Sequence, residues 1–160
     1  MISIIVAMDQ EQLIGKAGTA NGMPWNIPED LQFFKATTLH KTIVMGANTY
    51  RAIGHALPQR KTIVISRTLP EQEGIEVRRS LEEVIEQYKQ SQEDLYICGG
   101  ASIYQQSLAL SDQLLISRIP GNHEGEVYFP DFTKYSYKRI KTTPFRTFTL
   151  ETYVKGEQND

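Results

Sequence analysis

Five short runs of apolar, largely β-branched residues punctuate the chain: ISIIVAM at 2–8, KTIVMG at 41–46, KTIVISR at 61–67, DLYICGG at 94–100 and QLLISRI at 113–119. Several are apolar at consecutive rather than alternate positions, so both faces must be covered, as in the centre of a parallel sheet. Between them the pattern shifts to helical spacing over 28–38, 48–54, 80–90 and 101–109. Ser80 with Glu83 has the spacing of a capping box, and so does Asn26 with Glu29, with Pro28 suited to the first turn. Strand and helix alternate, which predicts right-handed βαβ crossovers in a single α/β domain: a mostly parallel sheet with helices on both faces. Residues 135–143 and 147–154 instead alternate polar and apolar about a short turn at TPFR, predicting an antiparallel hairpin at one edge of the sheet. The terminal KGEQND reads as frayed.

Composition narrows the function. A chain of 160 residues supports one sizeable core. A net charge of −2 with both signs interspersed gives no basic stripe for nucleic acid or an anionic membrane, so small molecules are the expected partners. The single cysteine, Cys98, excludes an internal disulfide, and three scattered histidines offer no metal cluster. MISIIVAM has neither a basic n-region nor a cleavage site, and no segment reaches membrane-spanning length, so a cytoplasmic protein is expected. No apolar stripe demands a partner subunit, and a monomer is expected.

Asp30 is the acid that breaks its pattern. In MPWNIPEDLQFFK it shares a helical face with Phe33 and Phe34, with Thr37 and Thr38 one turn further along. An acid in a first turn serves the helix dipole equally well, but Glu29 already fills the capping role, which favours a functional acid. In open α/β sheets ligands sit beyond the carboxyl ends of the strands. Two strand-to-helix turns there are glycine-rich: YICGGASIY at Gly99 and Gly100, and IVMGANTY at Gly46, followed by Asn48 and Thr49. Together they could grip an extended dinucleotide, although each also reads as a tight turn. A third turn offers Ser66 and Arg67 to a phosphate monoester, or simply a solvated loop arginine.

The ordered set LIG at 13–15, MPW and its acid at 23–30, TIVMG and NTY at 42–50, LPQRKTIVISR at 57–67, YICGGASIY at 96–104 and EGEVYFPDF at 124–132 resembles the dihydrofolate reductases nearly end to end. The resemblance implies an eight-stranded sheet with about four helices and an NADPH-dependent reduction of 7,8-dihydrofolate to tetrahydrofolate, open to antifolate inhibitors. It assigns Asp30 to the pterin's 2-amino group and N3, in a pocket of Ile5, Ala7, Leu31, Phe34 and Ile53. Trp25 would act through a water, Ser117 stand beside the acid, and a water near Met23 protonate N5. The carbonyls of Ile5 and Cys98 would accept pterin donors, Leu57 pack on the aminobenzoyl ring and Arg60 pair with the glutamate α-carboxylate. NADPH would run along Gly46, Asn48, Thr49, Ser66 and Arg67 to Gly99, Gly100, Ala101, Ser102 and Ile103, with its nicotinamide against Ala7, Ile14, Gly15 and Tyr104.

The chain departs from the family pattern in four places. The 15–25 loop is long and glycine-rich, Glu126 replaces an aspartate, and Ala47 and Ser102 stand where basic residues are common. NADPH preference then falls to Ser66, Arg67 and Arg79, with Arg67 foremost and Arg79 more exposed. Two rival readings are the related-fold NADPH reductase of riboflavin synthesis, which leaves MPW and Arg60 without a task, and a non-catalytic nucleotide-binding module.

Overall fold

The computed structural model describes residues 1–16 and 22–156. In chain order its elements are β1 (Ile2–Met8), β2 (Leu13–Gly15), α1 (Pro28–Thr38), β3 (Thr42–Gly46), α2 (Ala47–Ile53), β4 (Lys61–Ile65), β5 (Ile75–Arg78), α3 (Leu81–Ser91), β6 (Leu95–Ile97), α4 (Ala101–Ser107), β7 (Gln113–Arg118), β8 (Val127–Tyr128), β9 (Tyr137–Pro144) and β10 (Thr149–Lys155). Eight strands form one sheet in the order β5-β4-β3-β6-β1-β7-β10-β9. Every pairing from β5 to β7 is parallel, and the β9–β10 hairpin closes the edge antiparallel.

β1 runs through the centre because it is apolar on both sides. Ile2, Ile4, Val6 and Met8 pack with Leu81, Val84 and Ile85 of α3 and Ile103 and Tyr104 of α4. Ile5 and Ala7 point to the other face, where α1 contributes Phe33 and Phe34. Beside them Ile43 and Met45 of β3 meet Tyr50 and Ile53 of α2. Burying one such aliphatic side chain contributes about 1.5–3 kcal/mol.

Three strands escape the sequence pattern. β5, with buried Ile75 and Val77, is interrupted by Glu76 and Arg78; this edge strand carries the Lys61–Glu76 and Arg78–Glu76 ion pairs, a charged rim that discourages further pairing. β2 and β8 pair with each other outside the main sheet. Their junction is set by Asp9, whose Oδ1 accepts the Glu11 and Leu13 N–H groups (2.9 and 3.0 Å) while Oδ2 accepts that of His123 (3.0 Å). Burial pushes this carboxyl up, but the three amides outweigh it and hold it below the usual aspartate range.

The start of α1 differs from the expected capping box. Ile27 is the N-cap and no side chain caps the helix. The helix thus starts one residue past Asn26, with Ile27 half-buried against the cluster that holds Trp25 and Phe148. Glu29 is thereby released from capping. The Ser80 cap forms as expected, accepting the Glu83 N–H at 3.3 Å. The frayed end predicted at KGEQND reaches the described residues only at Lys155 and Gly156; 157–160 lie outside them.

The β2–β8 junction has no room for a side chain. A Cβ at Gly125 would stand 2.5 Å from the Gly15 carbonyl oxygen and 3.1 Å from Leu13 Cδ1. Gly125→Ala is therefore expected to part the two segments and destabilise the fold by roughly 1–3 kcal/mol, measured as a lower urea midpoint at unchanged slope.

Candidate active site

A cleft of about 1370 Å³ opens along the carboxyl ends of β1, β3, β4, β6 and β7. Single small-molecule pockets are usually about 300–1,000 Å³, so this cleft has space for two ligands side by side.

One end is apolar around an acid. Ile5, Ala7, Leu31, Phe34, Ile53, Leu57 and Cys98 line it with Asp30, Ser117 and Met23. Asp30 is only 7% exposed. Burial raises its carboxyl above the usual aspartate value, against the opposing pull of the Ser117 hydroxyl that donates to it. The Tyr104 hydroxyl donates to the Ile5 carbonyl at 2.9 Å, and burial holds that phenol well above its ordinary range. The Cys98 thiol is likewise pushed up by burial, so it presents a neutral surface.

The other end is built from backbone and cations. The Gly46 N–H donates to the Gly99 carbonyl at 2.9 Å, joining the turns after β3 and β6. A Cβ at Gly46 would meet Ile103 at 3.2 Å, one at Gly100 would meet Thr49 Oγ1 at 3.3 Å, and Gly99 adopts a φ of +112°. Only glycines let these turns lie so close, leaving a cradle in which a phosphate chain can approach main-chain amides. Every residue the sequence assigned to a dinucleotide lines the cleft: Ala7, Ile14 and Gly15; Gly46, Asn48 and Thr49; Ser66, Arg67 and Arg79; and 99–104. Arg67 and Arg79 are both exposed, so the expected difference in exposure does not separate them. Arg79 is the tethered one, its Nη1 donating to the carbonyls of Ser66 (2.6 Å) and Leu69 (3.2 Å).

Two expected site residues stand elsewhere. Trp25 is not on the cleft wall; it is buried with Ile5, Leu115, Ile119 and Phe148, edge-on to His123 at 5.1 Å, and its Nε1–H has no hydrogen-bond partner among the described residues. Arg60 is also outside the lining. Its Nε donates to Thr38 Oγ1 at 2.8 Å and its terminal nitrogens to the carbonyls of Pro58 and Lys35, both at 2.5 Å. At most two of its five N–H donors remain for a ligand. Conversely, Lys16, Lys35, His55, Glu82 and Gln106 line the cleft unforeseen. Lys35 was legible in principle, lying four residues after Leu31 on the same helical face.

The family model for dihydrofolate reductase matches residues 1–154. The chain belongs to the dihydrofolate reductase family. It is 37% identical over 144 residues to the dihydrofolate reductase of Bacillus subtilis, covering 89% of this chain and 83% of that one. It is also 37% identical to the type 3 dihydrofolate reductase of Salmonella typhimurium, over 88% of this chain and 85% of that one. A solved dihydrofolate reductase from Enterococcus faecalis, complexed with NADP(H) and RAB-propyl, superposes with a TM-score of 0.89 at 30% identity, covering 98% of this chain and 97% of that one.

For a dihydrofolate reductase, the raised Asp30 has a stability cost with a definite pH dependence. Because its folded pKa lies above its unfolded value, the penalty is absent in acid and builds up as pH rises from the unfolded value near 3.8 through the folded one. Asp30→Asn keeps an acceptor for Ser117 but does not titrate. It is expected to melt higher than wild type at pH 7, with the difference vanishing below pH 3.8 in paired thermal melts.

Proposed function

We propose that this cleft reduces 7,8-dihydrofolate with NADPH and that Asp30 is its central catalytic group. The buried carboxyl of Asp30, bonded to Ser117 among apolar walls, is the observation that carries the reading. When bound, NADPH supplies the hydride that reduces the C6–N5 double bond. Asp30 orients the pterin through its amino and ring N–H groups and favours the substrate protonated at N5. In a site with little water, that favourable charge is weakly screened. A water beside Met23, which lines the cleft, delivers the proton to N5. Ile5, Ala7, Leu31, Phe34 and Ile53 exclude other water and fix the ring plane. Trp25 acts from behind, keeping Ile5 and the floor of the pocket in place.

Gly46, Gly99 and Gly100 cradle the pyrophosphate, Ala7, Ile14 and Tyr104 flank the nicotinamide, and Ser66, Arg67 and Arg79 hold the 2′-phosphate. Arg60, with Lys35 on the wall beside it, receives the glutamate carboxylates of the substrate. The reading extends to a monomeric cytoplasmic protein acting on small molecules. It is supported by the small net charge, and by exposed Met1, Leu39, Tyr128 and Ile140 lying in different parts of the chain.

Dihydrofolate-dependent loss of NADPH absorbance tests the whole reading, and no turnover with either substrate would overturn it. Asp30→Asn is expected to lower kcat about 10²–10⁴-fold at pH 7 and to regain activity in acid, where the substrate is protonated in solution. Activity within a few-fold of wild type at pH 7 would remove Asp30 from its role.

Cofactor choice gives a separate measurement, read as Kd by fluorescence quenching. Arg67→Ala and Arg79→Ala are each expected to weaken NADPH about three- to tenfold, or ~0.7–1.4 kcal/mol, with NADH nearly unchanged. Equal losses for both cofactors would show that the phosphate is held elsewhere.

A further inference from the structure

Two adjacent carboxylates open α1, and only one of them faces the cleft. Asp30 turns inward to Ser117 on β7. Glu29 turns the other way, where its Oε1 accepts both the main-chain N–H and the hydroxyl of Thr147, each at 2.8 Å. Thr147 belongs to the turn between β9 and β10, 118 positions away in sequence. Beneath this exposed pair lies an aromatic pad. Phe145 and Phe148 stack at 4.5 Å, and Phe33, one turn after Glu29, meets both edge-on at 5.8 and 6.1 Å. β10 then returns beside β7, with Leu150 opposite Ser117. The chain thus closes a ring from Ser117 through β10, the turn, Glu29 and Asp30 back to Ser117.

We propose that Glu29, clamped by Thr147, is a positioning residue for Asp30: it fixes the first turn of α1 against the hairpin and so keeps the Asp30 carboxyl out of water. The inference rests on Asp30 being the acid of the reaction. The packed phenylalanines set the distance between helix and turn, and the two hydrogen bonds to one oxygen set the rotation of the helix start. If the helix start rocks away from the turn, water enters beside Asp30 and screens its charge. The proton shared between that carboxyl and the substrate is then held less tightly, and the reaction needs a lower pH. The other ionisable groups facing this space are the Tyr104 phenol of α4 and the Cys98 thiol after β6, both held neutral by burial. Arg60 and Lys35 lie towards the far end of α1, and Arg146 accompanies Glu29 on the outside.

The test is the pH profile of single-turnover reduction, with thermal melting recorded for each variant. Glu29→Ala is expected to move the midpoint to lower pH by about half a unit, roughly a threefold loss of rate above the midpoint. Glu29→Gln, which keeps an acceptor oxygen, is expected to restore the wild-type midpoint. Thr147→Ala, which removes one of the two donors, is expected to fall between. A Glu29→Ala enzyme that melts lower but keeps its midpoint would reduce the clamp to a structural contact and overturn the proposal. A Glu29→Gln profile as displaced as that of Glu29→Ala would also overturn it, since charge and not the bonds would then act. Asp30→Asn run in the same series separates the two readings. If it retains the wild-type profile, the assignment of Asp30 fails and the clamp falls with it; if it loses the profile while Glu29→Ala is unmoved, the clamp alone fails.

Discussion

A carboxyl group kept out of water is the constraint around which the rest of this molecule is arranged. Asp30 is destabilised where it stands, with the Ser117 hydroxyl donating to it and apolar side chains lining the same end of the cleft. Such a group persists only if its surroundings are rigid enough to prevent both solvation and escape. The helix bearing it is therefore fastened at both ends. At its start the hairpin turn holds Glu29, and at its finish Arg60 ties Thr38 and the Lys35 carbonyl to the 58–60 segment. The cost in folding free energy is what such burial of a titratable group imposes.

The cofactor end obeys a different logic. Among the described residues it shows no buried acid, and its wall is main-chain turns and exposed cations. Close approach of the turns after β3 and β6 needs glycine at three positions, a steric requirement set by Ile103, Tyr104 and Thr49. Arg67 and Arg79 are exposed on this wall, with Glu82 lining it too, so any charge interaction there is open to screening by salt. One cleft therefore combines a weakly screened recognition site with a strongly screened one.

What the sequence reveals follows this division. Strands buried on both faces, such as β1 and β3, announce themselves as unbroken apolar runs, and glycines before helices mark the cradle. β5 does not, because Glu76 and Arg78 serve an exposed edge. β2 and β8 span three and two residues, too short for any period, and pair because distant glycines meet. Residue identity picked out Trp25 and Arg60, but side-chain direction is a tertiary property that the sequence does not carry: neither lines the cleft, the indole packing in the core and the guanidinium donating to Thr38 and two carbonyls. The cap at Asn26 is likewise absent: the helix starts at Pro28 after Ile27, which packs half-buried against the core.

The position of β1 also bears on how the chain is made. It is made before either of its neighbours in the sheet, β6 and β7, the nearer of which is completed about ninety residues later. At ordinary translation speeds of about 5–20 residues per second, that interval is roughly 5–20 s. Throughout it, a segment apolar on both faces has no native strand to pair with. The strand that anchors the finished enzyme is thus, while the chain is being made, an apolar segment still waiting for its partners.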